Sequence, residues 1–356
     1  MNTIKIVFLL PNISGGGAEK VVTTLINSLD RNKFSTTLVL LTNSNRPEYD
    51  VAADNIIRLK KKRILYTFLS LRRLMINLSP DIVFTTITYV NCFYGLIHFS
   101  LFPNKVKWIC RESTIPSIIE ASLFIKFIYK ALIFFSYRQA NRIICQSKDM
   151  EEDLLKIHNF KNIHSISNPV LFSSNDVKKY EPRQGLCFLT IAMLRQEKGI
   201  ERVLDALALS KRDDYTYIIV GDGPQQTYLR SYATRLGILD KVSFKGYSAQ
   251  PWDFISSYSS VVFLQGSYYE GFPNVLLEAC SRGIPVIAYD CPGGTREIIR
   301  NSFNGFIVKT RSEYSSKLKN CHLYNFDSNA IRQDINSRFS LNEIVKKYEQ
   351  IFTQLN

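Results

Sequence analysis

The run Ile4-Lys-Ile-Val-Phe-Leu-Leu10 is apolar at all but one position. Four residues later come Ser14-Gly15-Gly16-Gly17 and a helical pattern extending to Leu29. A strand that is apolar on both sides is buried on both faces, as in a parallel sheet covered by helices. Strand, glycine loop and helix start, in that order, form the phosphate-cradling arrangement of α/β folds. Taken alone, the three glycines read equally well as a flexible turn. Short apolar runs at 37–41, 81–86, 106–110 and 142–145 alternate with helical stretches. Residues 1–175 are therefore expected to form a doubly wound parallel sheet. Residues 174–184 are polar, contain Pro182 and read as a linker. The pattern then restarts, with strands at 187–192, 215–220, 242–244, 261–264 and 285–288 and helices at 200–210 and 227–236. This predicts a second α/β domain over 183–338, and 356 residues suffice for two domains. Residues 339–356 read as an amphipathic helix with Ile344, Tyr348, Ile351 and Leu355 on one face.

The chemistry is concentrated after Ser267, in Glu270-Gly271-Phe272-Pro273-Asn274 and, eight residues beyond Glu270, Glu278. The Gly-x-Pro turn opens a helix, and a helix start has unpaired N–H groups and a positive dipole end that attract phosphate. One carboxylate before the turn and one inside the helix can face a sugar and a ribose, with a diphosphate between them. Upstream, Arg195 and Lys198 lie three apart at a strand end, where two cations can grip a diphosphate. Two solvated glutamates on a buried helix, and a solvated cap bearing Arg195 and Lys198, are the plainer readings of these segments.

The Glu-Gly-x-Pro-x-x-x-x-Glu pattern and the following Gly283-Ile-Pro-Val-Ile run resemble the retaining glycosyltransferases of family 4, of the bacterial surface-polysaccharide type. Matches are spread over most of the chain. The resemblance implies the GT-B fold, with two Rossmann-like domains facing each other across a cleft and the closing helix returning to the first domain. It implies that Glu278 binds the ribose hydroxyls and Glu270 the transferred sugar. Phe272, Pro273 and Asn274 would present backbone N–H groups after Gly271, and Arg195 and Lys198 would neutralise the leaving phosphates. Gly16 and Gly17 would approach the donor phosphates. Tyr247 would pack on the base or cover the sheet edge. Many family members carry a first-domain His near the reacting sugar. Here the local pattern is Cys110-Arg111-Glu112-Ser113, and none of the four histidines occupies that place. Arg111 and Glu112 become candidates for acceptor or sugar contacts, or for a structural salt bridge.

Charge bears on the partner. Residues 1–180 hold 24 of the 45 Lys and Arg but only 13 of the 31 Asp and Glu. So positive a field favours anionic lipid, nucleic acid or phosphorylated substrates. The run 118–137 is apolar and aromatic apart from Glu120, Lys126, Lys130 and a few small or polar residues; its central lysines argue against spanning a membrane and for lying in the interface. The aromatic run 92–102, Lys60-Lys-Lys-Arg63 and Arg72-Arg73 would add to that surface, unless these helices only cover the sheet. The seven cysteines include no Cys-x-x-Cys pair and read as buried free thiols of a reducing compartment. The expected activity is metal-independent retaining transfer, without a cofactor, from a nucleotide-sugar (UDP-linked by preference). The acceptor would be a polyprenyl-diphosphate-linked saccharide, met at the inner face of the cell membrane. A sugar-nucleotide epimerase or phosphorylase on the same fold, or a non-catalytic basic binding protein, are the alternatives. No zinc spacing or nucleic-acid motif supports the last.

Overall fold

The computed structural model describes residues 3–14, 16–44, 47–101, 106–118, 122–171 and 184–355. Gly15 and nearly all of the expected linker (174–183) lie outside these residues. The chain divides into two compact units, Met1–Leu171 with Phe339–Asn356, and Phe172–Arg338.

The first unit is built on seven parallel strands: β1 (Ile4–Leu10), β2 (Phe34–Thr42), β3 (Asn55–Lys61), β4 (Ile82–Thr86), β5 (Lys107–Arg111), β6 (Arg142–Cys145) and β7 (Ile163–Ser165). Their order is β3-β2-β1-β4-β5-β6-β7. Its helices are α1 (Gly17–Ser28), α2 (Phe68–Leu78), α3 (Thr88–Ser100), α4 (Leu123–Tyr137) and α5 (Lys148–Ile157). Alternate residues of β1 feed opposite cores, as the pleat requires. Ile6, Phe8 and Leu10 pack with α1 and with the helix Leu341–Leu355. Val7 and Leu9 pack with α2 to α5. The segment Lys60–Arg63, expected only as a basic cluster, begins in β3, an edge strand whose lysines discourage pairing with another chain. Most of the aromatic run 92–101 faces the core, with Phe93, Tyr94 and Ile97 buried in α3. Phe99 is 64% exposed, and Phe102 lies outside the described residues.

The second unit has six parallel strands: β8 (Gln184–Ile191), β9 (Tyr215–Val220), β10 (Val242–Gly246), β11 (Tyr258–Gln265), β12 (Val286–Tyr289) and β13 (Gly305–Val308). Their order is β10-β9-β8-β11-β12-β13. The helices are α6 (Ile200–Ser210), α7 (Gln226–Arg235), α8 (Asn274–Ser281), α9 (Thr295–Ile298), α10 (Arg311–Lys319) and α11 (Ser328–Phe339). The chain then re-enters the first unit as α12 (Leu341–Leu355), where the Val170 amide donates to the Phe339 carbonyl at 2.8 Å. No helix among the described residues is long and apolar enough to cross a membrane.

Candidate active site

In the second unit the strand order reverses between β8 and β11. Open α/β sheets bind ligands beyond the carboxyl ends of the strands at such a point. The loop after β8 carries Arg195 and Lys198, and the loop after β11 carries Ser267 and Glu270. Close backbone contact draws the two loops together. Gly199 has φ +53°, and a Cβ there would lie 2.1 Å from the Gly266 carbonyl oxygen. Only glycine permits that approach. The Tyr268 amide also donates to the Glu197 carbonyl at 2.9 Å. Arg202 donates to the Gly266 and Ser267 carbonyls at 3.2 and 3.3 Å, its guanidinium over the rings of Tyr268 and Tyr289.

Lys198 Nζ donates to both Glu270 carboxylate oxygens, at 2.7 and 2.9 Å, and Ser267 Oγ donates to Oε1 at 2.7 Å. The Glu270 side chain is only 12% exposed and that of Lys198 26%. Burial disfavours the ammonium, but the Glu270 charge and hydrogen bonds outweigh it and hold Lys198 above the usual lysine range. Arg195, by contrast, is 55% exposed and stands 3.9 Å from Glu197. Both cations thus stand at the switch point, one parked on a carboxylate and the other in solvent.

The backbone beyond Glu270 is clamped by Pro292-Gly293-Gly294. The Glu270 amide donates to the Pro292 carbonyl and the Gly294 amide to the Gly271 carbonyl, each at 3.0 Å. Gly293 has φ +120°, and a Cβ on it would lie 2.1 Å from the Glu270 carbonyl oxygen. Phe272 and Pro273 are buried, and Pro273 is the N-cap of α8. Proline has no N–H, so of the three residues expected to offer amides only Phe272 and Asn274 can do so. Glu278 lies one turn into α8, where its Oε2 accepts from Trp252 Nε1 at 3.1 Å, and Arg282 stacks on that indole. Tyr247 follows the end of edge strand β10 and is 66% exposed. Trp252, Ser267 and Arg202 had no motif to announce them. Pro251-Trp252, just after Gly246-Tyr247, was the nearest signal.

The first unit has its own reversal, between β1 and β4. Gly16 is the N-cap of α1 and Gly17 its first residue. The Glu19 carboxylate folds back onto this helix start: it accepts from its own amide and would meet any Cβ on Gly16. Burial raises Glu19 above the usual carboxylate range, partly offset by its own amide and the charge of Arg111. A phosphate reaching α1 would have to displace that carboxylate. Arg111 and Glu112, candidates for acceptor or sugar contacts or for a salt bridge, are fully buried and hydrogen-bonded to other residues. Arg111 donates to Asn168 Oδ1 (2.6 Å), Thr86 Oγ1 (3.1 Å) and Tyr348 Oη (3.2 Å). Glu112 accepts from Thr88 Oγ1 (2.6 Å), the Ser113 amide (2.8 Å) and the Tyr137 hydroxyl. Burial raises its carboxyl, and these donors work against the rise. Arg111 therefore ties the β5 end to α12, and Glu112 holds the loop that follows β5.

Comparison with known proteins extends the geometry. Residues 15–171 match the family described as Glycosyltransferase Family 4, and residues 173–320 match Glycosyl transferases group 1. Together the two matches cover most of the chain. The chain belongs to the family 4-like glycosyltransferases. It is 27% identical to the amylovoran biosynthesis glycosyltransferase AmsD of Erwinia amylovora, over 86% of each chain. It is 26% identical, over 87% of each, to a Campylobacter jejuni enzyme, N-acetylgalactosamine-N,N'-diacetylbacillosaminyl-diphospho-undecaprenol 4-alpha-N-acetylgalactosaminyltransferase. Anabaena HepE, solved in complex with UDP-glucose, matches 99% of this glycosyltransferase and 100% of its own chain, with a TM-score of 0.78 at 17% identity. The fold is therefore GT-B.

Proposed function

We propose that this glycosyltransferase moves a sugar, with retention of anomeric configuration, from a UDP-sugar to a polyprenyl-diphosphate-linked saccharide in the synthesis of a bacterial surface polysaccharide. The observation that carries the reading is the meeting of Lys198 and Glu270, beside Arg195, at the switch point of the second unit. Two cations for a diphosphate and a carboxylate for sugar hydroxyls stand there on loops held by glycine contacts. The UDP-glucose complex of HepE supports the donor class, and the names of the two relatives support the acceptor and pathway.

In this scheme the bond from the sugar's anomeric carbon to the phosphate oxygen breaks, and its electron pair leaves with the diphosphate. Arg195 and Lys198 hold the developing charge. The acceptor hydroxyl attacks from the same face, and its proton passes to the departing phosphate. Glu278 binds the ribose, Glu270 the transferred sugar, and the amides of Phe272 and Asn274 the phosphate or sugar. Tyr247 covers the base. Gly16 and Gly17 take a phosphate oxygen once Glu19 swings aside. The scheme uses side-chain cations where other transferases use a metal. The lipid acceptor is met at an anionic membrane surface on the cytoplasmic side, through the first unit. Support comes from α4, where Phe124 and Phe127 are more than 70% exposed beside Lys126 and Lys130.

Calorimetry with UDP, GDP and ADP and their sugar conjugates tests the donor site. One nucleotide should bind wild type, and Glu278→Ala should weaken it by about tenfold or more, as expected for lost hydrogen bonds to a charged group. Failure of every nucleotide to bind would overturn the reading.

A further inference from the structure

Lys198 is the cation assigned to the donor phosphates, yet its ammonium is held by both oxygens of Glu270, the carboxylate assigned to the donor sugar. Neither loop can relax freely: the Gly199–Gly266 contact, the Tyr268–Glu197 hydrogen bond and the Pro292 clamp fix them. Ser267 fixes Oε1 from a third direction and is itself buried. Arg195, more than half exposed and 3.9 Å from Glu197, is held less closely. We infer that Lys198 and Glu270 form a sugar-gated latch in which Ser267 is a positioning residue: hydroxyls of the transferred sugar must occupy Glu270 before Lys198 is released to the diphosphate.

The inference rests on the donor reading above and deepens it. A carboxylate accepts about four hydrogen bonds, and three are already taken by Ser267 and Lys198. Sugar hydroxyls donated to Glu270 take the place of the ammonium, which then turns to the phosphates. A nucleoside diphosphate without its sugar offers Glu270 no donor and must draw Lys198 away from a buried carboxylate. The latch therefore favours the intact donor over the spent nucleotide. It confers donor discrimination and product release with one ion pair. By linkage, the sugar strengthens the phosphate contact as much as the phosphate strengthens the sugar contact.

Binding of UDP and UDP-glucose to wild type, Glu270→Gln, Lys198→Met and the double variant tests this. These replacements are near-isosteric, and thermal melting confirms that each variant folds. Glu270→Gln should bind UDP about tenfold tighter than wild type, within the usual range of coupling between sites. The gain should vanish in the double variant, and UDP-glucose should no longer be preferred over UDP. Ser267→Ala should shift the UDP-to-UDP-glucose preference in the same direction by a smaller factor, with Lys198 in place. If UDP binds wild type and Glu270→Gln shows no Lys198-dependent gain, the latch is wrong while the donor site stands. If neither probe binds wild type and GDP or ADP conjugates do, the same four proteins are read with that pair. If no nucleotide binds at all, donor site and latch fall together.

Discussion

His98 lies 1% exposed in α3, with neither ring nitrogen hydrogen-bonded among the described residues, its ring 5.5 Å from that of Trp108 and 5.8 Å from that of Tyr94. Burial pushes its pKa down to about 4. The unfolded chain would protonate it near 6.5, so between these values the unfolded state binds the extra proton. Its neutral burial is fully tolerated above pH 6.5, and stability falls as pH drops towards 4, by about 3 kcal/mol in all. Urea unfolding of His98→Phe should show a flatter profile across that window than wild type; an unchanged slope would refute the assignment. The legibility of other residues follows the range of their interactions. Glu270, Glu278 and the Gly-x-Pro turn could be read because turn chemistry and helical period are local. The pairing of Lys198 with Glu270 spans 72 residues and left no trace in the spacing. Arg111 left a ligand contact and a structural role equally open, because one of its partners, Tyr348, lies 237 residues away in the sequence.

Among elements, strands with long continuous apolar runs were the most legible. β1, β6 and β9 appear where the apolar runs placed them. β3 was hidden by its basic residues and β7 by its length of three residues; β13, as short as β6, was missed because it follows directly on the turn at Asn304-Gly305. Pairing with a covered neighbour, not intrinsic pattern, makes these strands. α12 was visible from its period, and the structure shows what it covers. Phe352 is fully buried, with ring centroids 5.8 Å from Phe34, 6.1 Å from Phe84 and 6.4 Å from Phe8. Phe352→Ala should cost about 3–5 kcal/mol. Chemical denaturation should show the loss in the transition of the first unit, with that of the second unit in place.

At the scale of the molecule, charge and apolar surface coincide in the first unit. α2, α3 and α4 share one core on the same side of its sheet. Leu65 and Leu69, shortly before Arg73 in the sequence, and Phe124 and Phe127, beside Lys126 and Lys130, all stand about 70% exposed. Each basic residue near an anionic leaflet contributes on the order of 1 kcal/mol, screened by salt. Sedimentation with vesicles of phosphatidylglycerol and phosphatidylcholine should carry the protein down at low salt. Phe124→Ser with Phe127→Ser should release it, and equal binding by the double variant would count against this face. The re-entry of α12 into the first unit also bears on how the protein is made. The ribosome must add residues 172–338 before the helix that covers Phe8, Phe34 and Phe84 exists. At cellular elongation rates this leaves that aromatic face covered by α1 but not by α12 for on the order of ten seconds or more. The whole of the second unit is therefore synthesised before the first unit receives its last helix, and the nascent first unit is the part expected to need protection in the meantime.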